Sequence, residues 1–162
     1  MGYLAPLIFA VVLLGLGALF NQESKVTAIN TSTAQAQNDG QSFLAYRNAV
    51  MTYQQNNPTF TGVVPSTTVN SLAGPFSATF LAKVSNIVVA TGLRNGRVVI
   101  CSGTFAHSVA GQAAVAANND ASFGISNGPT WTSAAVGAST LAMPLASAIA
   151  AGNIVSVIEM DL

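Results

Sequence analysis

The hydrophobic pattern divides the chain into three parts. From Tyr3 to Phe20 ("YLAPLIFAVVLLGLGALF") 18 consecutive residues carry no charge, and Leu, Ile, Val, Ala and Phe dominate. A helix needs about 17–25 such residues to cross the hydrocarbon core of a bilayer, so the stretch predicts a transmembrane helix near the lower limit. Pro6 falls in its first turn, where a missing N–H costs little. Residues 21–41 then turn polar ("NQESKVTAINTSTAQAQNDGQ"), and read as a continuing polar helix or a juxtamembrane linker. Asn38-Asp39-Gly40 is a break signal, with Asp39 as the cap of the next helix. Residues 42–162 hold the rest.

Within that third part, "QSFLAYRNAVMTYQQNN" is the clearest helix. Phe43, Tyr46, Val50 and Tyr53 recur at 3-4-3 spacing, and Leu44 and Met51 widen the apolar face. It should stop before Pro58, because the residue preceding proline avoids helical geometry. Arg47 falls between the apolar positions. Its expected use is a stem laid over the core with the head in water; the other reading is a partly buried ion pair with Asp120 or Glu159. "PTFTGVVPSTTVNSLAG" predicts turns with a short helix or strand, and "ATFLAKVSNIVVATGLRNGRVVICSG" predicts β structure. In it the runs Ile87–Ala90 and Val98–Cys101 form a hairpin through Asn95-Gly96. Arg94 and Arg97 flank that turn. "HSVAGQAAVAANN" reads as a helix, and "ASFGISNGPTWTS" as a second hairpin turning at Asn127-Gly128-Pro129. "PLASAIAAGN" reads as a short helix with Pro144 near its start and Gly152 just past its end, and "NIVSVIEM" as the last strand. The pattern predicts an α+β domain, a long helix packed on an antiparallel sheet, behind a membrane helix.

Three fates compete for the opening stretch. A cleaved secretory signal should carry a basic n-region and an Ala-x-Ala-like site; only Met1 and Gly2 precede the apolar run, and "NQESKVTA" offers no clean site. A type IV prepilin is cut after Gly and carries Glu at the fifth mature position, but counting from Tyr3 that position is Leu7. An uncleaved single-pass anchor is therefore expected, contacting lipid through Tyr3 to Phe20. Lys25 argues little about orientation, since long domains translocate regardless of one charge, and the domain is expected outside the cytoplasm.

Composition removes several function classes. Charged residues are 6% of the chain, five basic and five acidic, for a formal net charge of zero. There is no basic footprint for nucleic acid. With one histidine and one cysteine, zinc lacks its usual ligand set. Cys101, in the apolar "GRVVICSG", is expected to be a buried structural thiol. Ser102, Ser108, His107 and Asp120 supply the residue types of a hydrolytic triad, but no Gly-x-Ser-x-Gly elbow accompanies them, and His107 reads as a loop or helix-start residue. There is no Walker A loop, and Trp131 reads as a core or turn aromatic. Neither an enzyme nor a cofactor is expected.

The order of parts, together with "YRNAVMTYQQNNPTFTGVVPSTTV", resembles the small PilM proteins of plasmid-type (type IVb, thin) pilus operons. These share only a name with the cytoplasmic actin-like PilM, whose nucleotide motifs are missing here. The resemblance implies an inner-membrane component of the pilus assembly apparatus with a periplasmic domain, tied to conjugation and plasmids, and no catalytic residues to carry over. On this reading residues 1–20 are the anchor, 21–41 the juxtamembrane stretch and 42–162 the periplasmic domain. Partners would be other pilus assembly proteins, pilin or a second copy. The expected contact surfaces are the helix after Asp39 and the sheet edges, with Phe43, Tyr46, Arg47, Val50, Arg94 and Arg97 as contact residues. Two rivals remain: a pilin-like filament subunit using Tyr3–Phe20 as its stem, and an exported hydrolase matured near Ser24–Ala28.

Overall fold

In the computed structural model, residues 31–92 and 96–161 are described. The described residues from Ala36 onward make one compact unit. The expected membrane anchor lies outside the described residues; no described helix is long and apolar enough to cross a membrane.

Helix α1 covers 31–56. It runs straight through Asn38-Asp39-Gly40, so the break expected there does not occur. Gly40 faces helix α4 (Ser108–Ala116) so closely that a Cβ on it would lie 2.9 Å from the Ala113 nitrogen and 3.0 Å from Gln112 Cβ. The residue that looks like a helix breaker is the point where two helix backbones approach. At the other end α1 stops at 56, as the following Asn57-Pro58 demands, and the Asn57 side-chain amide donates to the Tyr53 carbonyl at 2.9 Å. Buried Gln54 donates to the carbonyls of Pro58 and Phe60 and so shapes the exit.

After α1 come α2 (Ser66–Ala73) and α3 (Ala78–Leu81). Residues 78–81 were expected to be β structure. They form one helical turn instead, because the Ser77 hydroxyl accepts from the Phe80 N–H at 3.1 Å and caps the turn. The strands are β1 (Val84–Ala90), β2 (Gly96–Gly103), β3 (Phe123–Ser126), β4 (Gly128–Ser133), β5 (Met143–Ile149) and β6 (Ile154–Asp161). They form one antiparallel sheet in the order β1-β2-β6-β3-β4-β5. Both expected pairs of strands are antiparallel, and the second turns at Asn127-Gly128-Pro129 as read. In the first, Ala90 pairs with Arg97 and Gly96 already belongs to β2, so the turn is not the Asn95-Gly96 step; residues 93–95 lie outside the described residues. β5 corrects the helix expected from Pro144 up to the residue before Gly152. Ala favours a helix, but the segment pairs with β4 and its exposure alternates residue by residue, the period of a strand. Gly152 then takes φ +86° in the turn to β6.

One face of the sheet packs on α1 and α4. The core there is Phe43, Val50, Val88, Val99, Cys101, Val109, Phe123 and Ile154 with the alanines of both helices. Phe43 meets Phe105 and Phe123 edge-on at centroid distances of 6.3 and 6.1 Å, and Tyr46 meets Phe76 and Phe80 at 6.0 and 6.1 Å. Each such ring removed from water stabilises the fold by about 1.5–3 kcal/mol. The opposite face carries a smaller apolar layer, Val98, Ile100, Val155 and Trp131, all buried. Gly124 makes room for it, since a Cβ there would fall 2.7 Å from the Trp131 ring. The sheet curls, so that β5 comes back towards β2 although four places separate them in strand order.

Candidate functional site

Among the described residues, Arg47 is the one charged residue that is buried, at 8% exposure. Helix α1 aims it across the core at the loop after α4. Its Nη1 donates to Asp120 Oδ2 at 2.6 Å and to the Ser122 hydroxyl at 3.1 Å. Nε and Nη2 donate to Asn48 Oδ1 at 3.2 and 3.1 Å, and Cζ lies 4.5 Å above the centre of the Phe123 ring. Of the two readings of Arg47, the ion pair with Asp120 is the one observed; the head does not reach out to water. Burial alone would raise the Asp120 carboxyl. The Ser122 N–H and the Arg47 guanidinium outweigh it and hold the group below its ordinary value.

A second buried polar link lies beside it. Asn86 of β1 donates to the Tyr46 hydroxyl at 2.8 Å and to the Val64 carbonyl at 3.1 Å, and accepts from the Val64 N–H at 2.8 Å. Desolvation lifts the Tyr46 phenol to about 12, against the opposing hydrogen bond from Asn86. The Cys101 thiol, fully buried on β2, is lifted to about 12 by desolvation, with Arg47 as the weaker opposing influence. A thiol so placed is inert, as its apolar setting suggested.

The expected contact residues divide accordingly. Phe43, Tyr46 and Val50 are 0–3% exposed and Arg47 is paired inside, so α1 spends its contact face on the chain's own sheet. Arg94 lies outside the described residues. Arg97 is half-buried, with Nη1 turned to the carbonyl of Gly96 (3.0 Å) and Nη2 to that of Thr59 (3.5 Å). It lines a cleft of about 240 Å³ with Thr91, Gly96, Glu159, Met160 and Asp161. A neutral cleft of about 260 Å³, lined by Gln37, Gln41, Gln112, Val115 and Ala116, lies between α1 and α4.

The triad residues do not come together as a catalytic set. Asp120 serves Arg47, and the Ser102 hydroxyl pairs with that of Ser85 at 2.7 Å. His107 is exposed at the start of α4. Among the described residues, no three His, Cys, Asp or Glu side chains are placed to hold a metal ion.

The longest charge-free, unburied side of the described fold is built by β4, β5 and the loop between them. From Ala121 to Ile158 the chain has no charged residue, and between Trp131 and Ile154 no residue is buried. Val136 and Leu141 are 77% and 75% exposed. The sequence singled out sheet edges in general but not this one; the signal that marks it is the long charge-free run.

Against known proteins, the PilM family model matches residues 9–157. Among solved structures, the crystal structure of a protein named PilM from Escherichia coli B7A matches with a TM-score of 0.52 at 17% sequence identity, covering 78% of this chain and 94% of that one. At that identity the likeness speaks for the fold. No curated protein matches the chain.

Proposed function

The chain belongs to the PilM family, and from that premise we propose that it serves pilus biogenesis as a membrane-anchored assembly component working through protein contacts. The observation that carries the reading is the extent of the family match, which runs from inside the apolar stretch at residue 9 almost to the end of β6. The anchor is residues 3–20, long enough to span a bilayer core, with the domain on the periplasmic side of the inner membrane and no reaction assigned to it. The charge-free, exposed β4–β5 side is where pilus proteins or pilin would be met, because the apolar face of α1 is already filled.

The test is deletion of the gene in its own host, complementation with the full chain, and a count of surface pili. Piliation should be lost and restored, and the intact protein should sediment with inner membrane and be cut by protease only after the outer membrane is opened. Normal piliation in the deletion strain sinks the proposal. Recovery of the protein in sheared pili, processed after Gly2, would replace it with a filament subunit.

A further inference from the structure

Residues 137–148 are fastened at both ends and hardly at all between them. In front, Asn119, in the left-handed region at φ +61°, donates to the Val136 carbonyl at 2.8 Å and accepts from its N–H at 2.7 Å. Behind, the hydroxyl of buried Ser126 donates to the Ile149 carbonyl at 2.8 Å. The Ser126 carbonyl accepts from the Gly152 N–H and its own N–H donates to the Asn153 carbonyl, both at 2.9 Å. Each fastening adjoins a glycine at positive φ, Gly137 at +76° and Gly152 at +86°. Such backbone turns where a side chain would resist.

Between the fastenings the segment is loosely held. β5 meets β4 only at Met143, Pro144 and Ile149, and Leu145, Ala146, Ser147 and Ala148 stand across from Pro129 alone. Neither proline has an N–H to give to the ladder. No residue of β5 is buried, whereas each of the other five strands buries at least one. The side-chain hydrogen bond described within the segment is internal, from the Leu141 N–H to the Ser139 hydroxyl at 3.1 Å. The free energy of a local opening follows the apolar contact and the bonded backbone that it gives up, and here both are small. What lies beneath is not small. Trp131 pairs with Met143 and is buried on the face away from the helices, with Val98, Ile100 and Val155. The helices fill the other face, so the curl that brings β5 back towards β2 closes over this one.

We propose that residues 137–148 are a strap that lifts from β4 while both its ends stay fastened, uncovering Trp131 and the outer side of β4 with the rest of the fold intact. The fastenings at Val136 and Ile149 are the fixed points, and Gly137 and Gly152 lie at the hinges. Closed, this side presents Val136 and Leu141; open, it adds a tryptophan and an unpaired strand edge. The surface it offers is therefore set by the position of the strap. The inference concerns a motion of the chain itself and stands independently of the pilus role.

The experiment follows hydrogen exchange of the full chain in detergent. The amides that bridge β4 and β5 should exchange at least about tenfold faster than those that bridge β2 and β6. Their rates should also depend more weakly on urea, because lifting the strap exposes less surface than unfolding the sheet. Thr130→Cys with Pro144→Cys puts two thiols at paired positions, where Cβ atoms lie about 4.5–5.5 Å apart. Closing that disulfide should slow exchange in both strands at least about tenfold, and reducing it should restore the rate. Cys101 is buried on β2 and stays out of the pairing. Exchange at β4–β5 in the unsubstituted chain that matches β2–β6 in rate and urea dependence overturns the proposal, as does a closed disulfide that leaves the rate unchanged.

Discussion

Replacing Asp120 with Ala removes the acceptor of a guanidinium that has little water to fall back on. The Arg47 side chain is 10% exposed and that of Asp120 is 33% exposed. Breaking a buried pair by removing one partner costs about 3–5 kcal/mol. Because Asp120 is partly wet, the expectation here is lower, about 2–3 kcal/mol. The substitution also strips the Ser122 N–H of its acceptor, Asp120 Oδ1 at 2.9 Å, adding about 1 kcal/mol. Asp120→Ala should therefore cost about 3–4 kcal/mol in all. Arg47→Met should cost only about 1–2 kcal/mol, because a flexible apolar chain fills the space and the remaining carboxylate takes up water. In the double variant most of the Asp120→Ala penalty disappears, leaving a coupling of about 2 kcal/mol. The assay is urea unfolding of the full chain followed by the reactivity of Cys101, which is shielded until the core opens. A coupling below about 0.5 kcal/mol would place the pair with ordinary surface ion pairs and refute the argument.

Two further predictions use the same urea unfolding, followed by the fluorescence of the buried Trp131 wherever pH or Cys101 is varied. Gly40→Ala should destabilise by about 1–3 kcal/mol through overpacking against Ala113 and Gln112; if Gly40 were merely a weak helix residue, the change would stabilise by about 1 kcal/mol, so the sign decides. Stability should also fall at both pH extremes. Asp120 has a depressed folded-state pKa, so its contribution is intact above the unfolded value of about 3.9 and fades as pH drops through the folded one, a loss that Asp120→Asn should flatten. Cys101 and Tyr46 are raised to about 12. Their unfolded counterparts ionise first, so stability should decline from about pH 8.5 upward, and Cys101→Ala should remove the earlier part of that decline.

Local rules made much of this fold legible. The 3-4-3 spacing from Phe43 to Tyr53 located the core face of α1, Pro58 its end, the branched runs 87–90 and 98–101 the first hairpin, and Asn127-Gly128 the turn of the second. Errors came where one residue type serves two ends. Gly40 reads as a break until α4 is seen lying against it. Alanine in 144–150 reads as helix until β4 supplies a ladder. The turn at 78–81 depends on one hydroxyl, that of Ser77. Arg47 exposed a different limit: the sequence offered Asp120 and Glu159 as partners, and only the packing of α1 against the loop after α4 chooses between them. The proposed contact surface was the least legible part. Buried positions announce themselves by period, whereas β5 is marked by missing charge and missing partners, and absences have no period.

β6 joins β2 on one side and β3 on the other, and it follows both in the chain. Until residues 154–161 are made, synthesis yields two separate pieces, the β1–β2 hairpin and the β3–β4–β5 meander, each with an open flank where β6 will lie. Completion is one late, long-range event, and such events are slow. Both waiting flanks are apolar strands with unpaired backbone, the kind of surface that aggregates when exposed. The position of one strand thus sets the interval during which the chain is most exposed to aggregation.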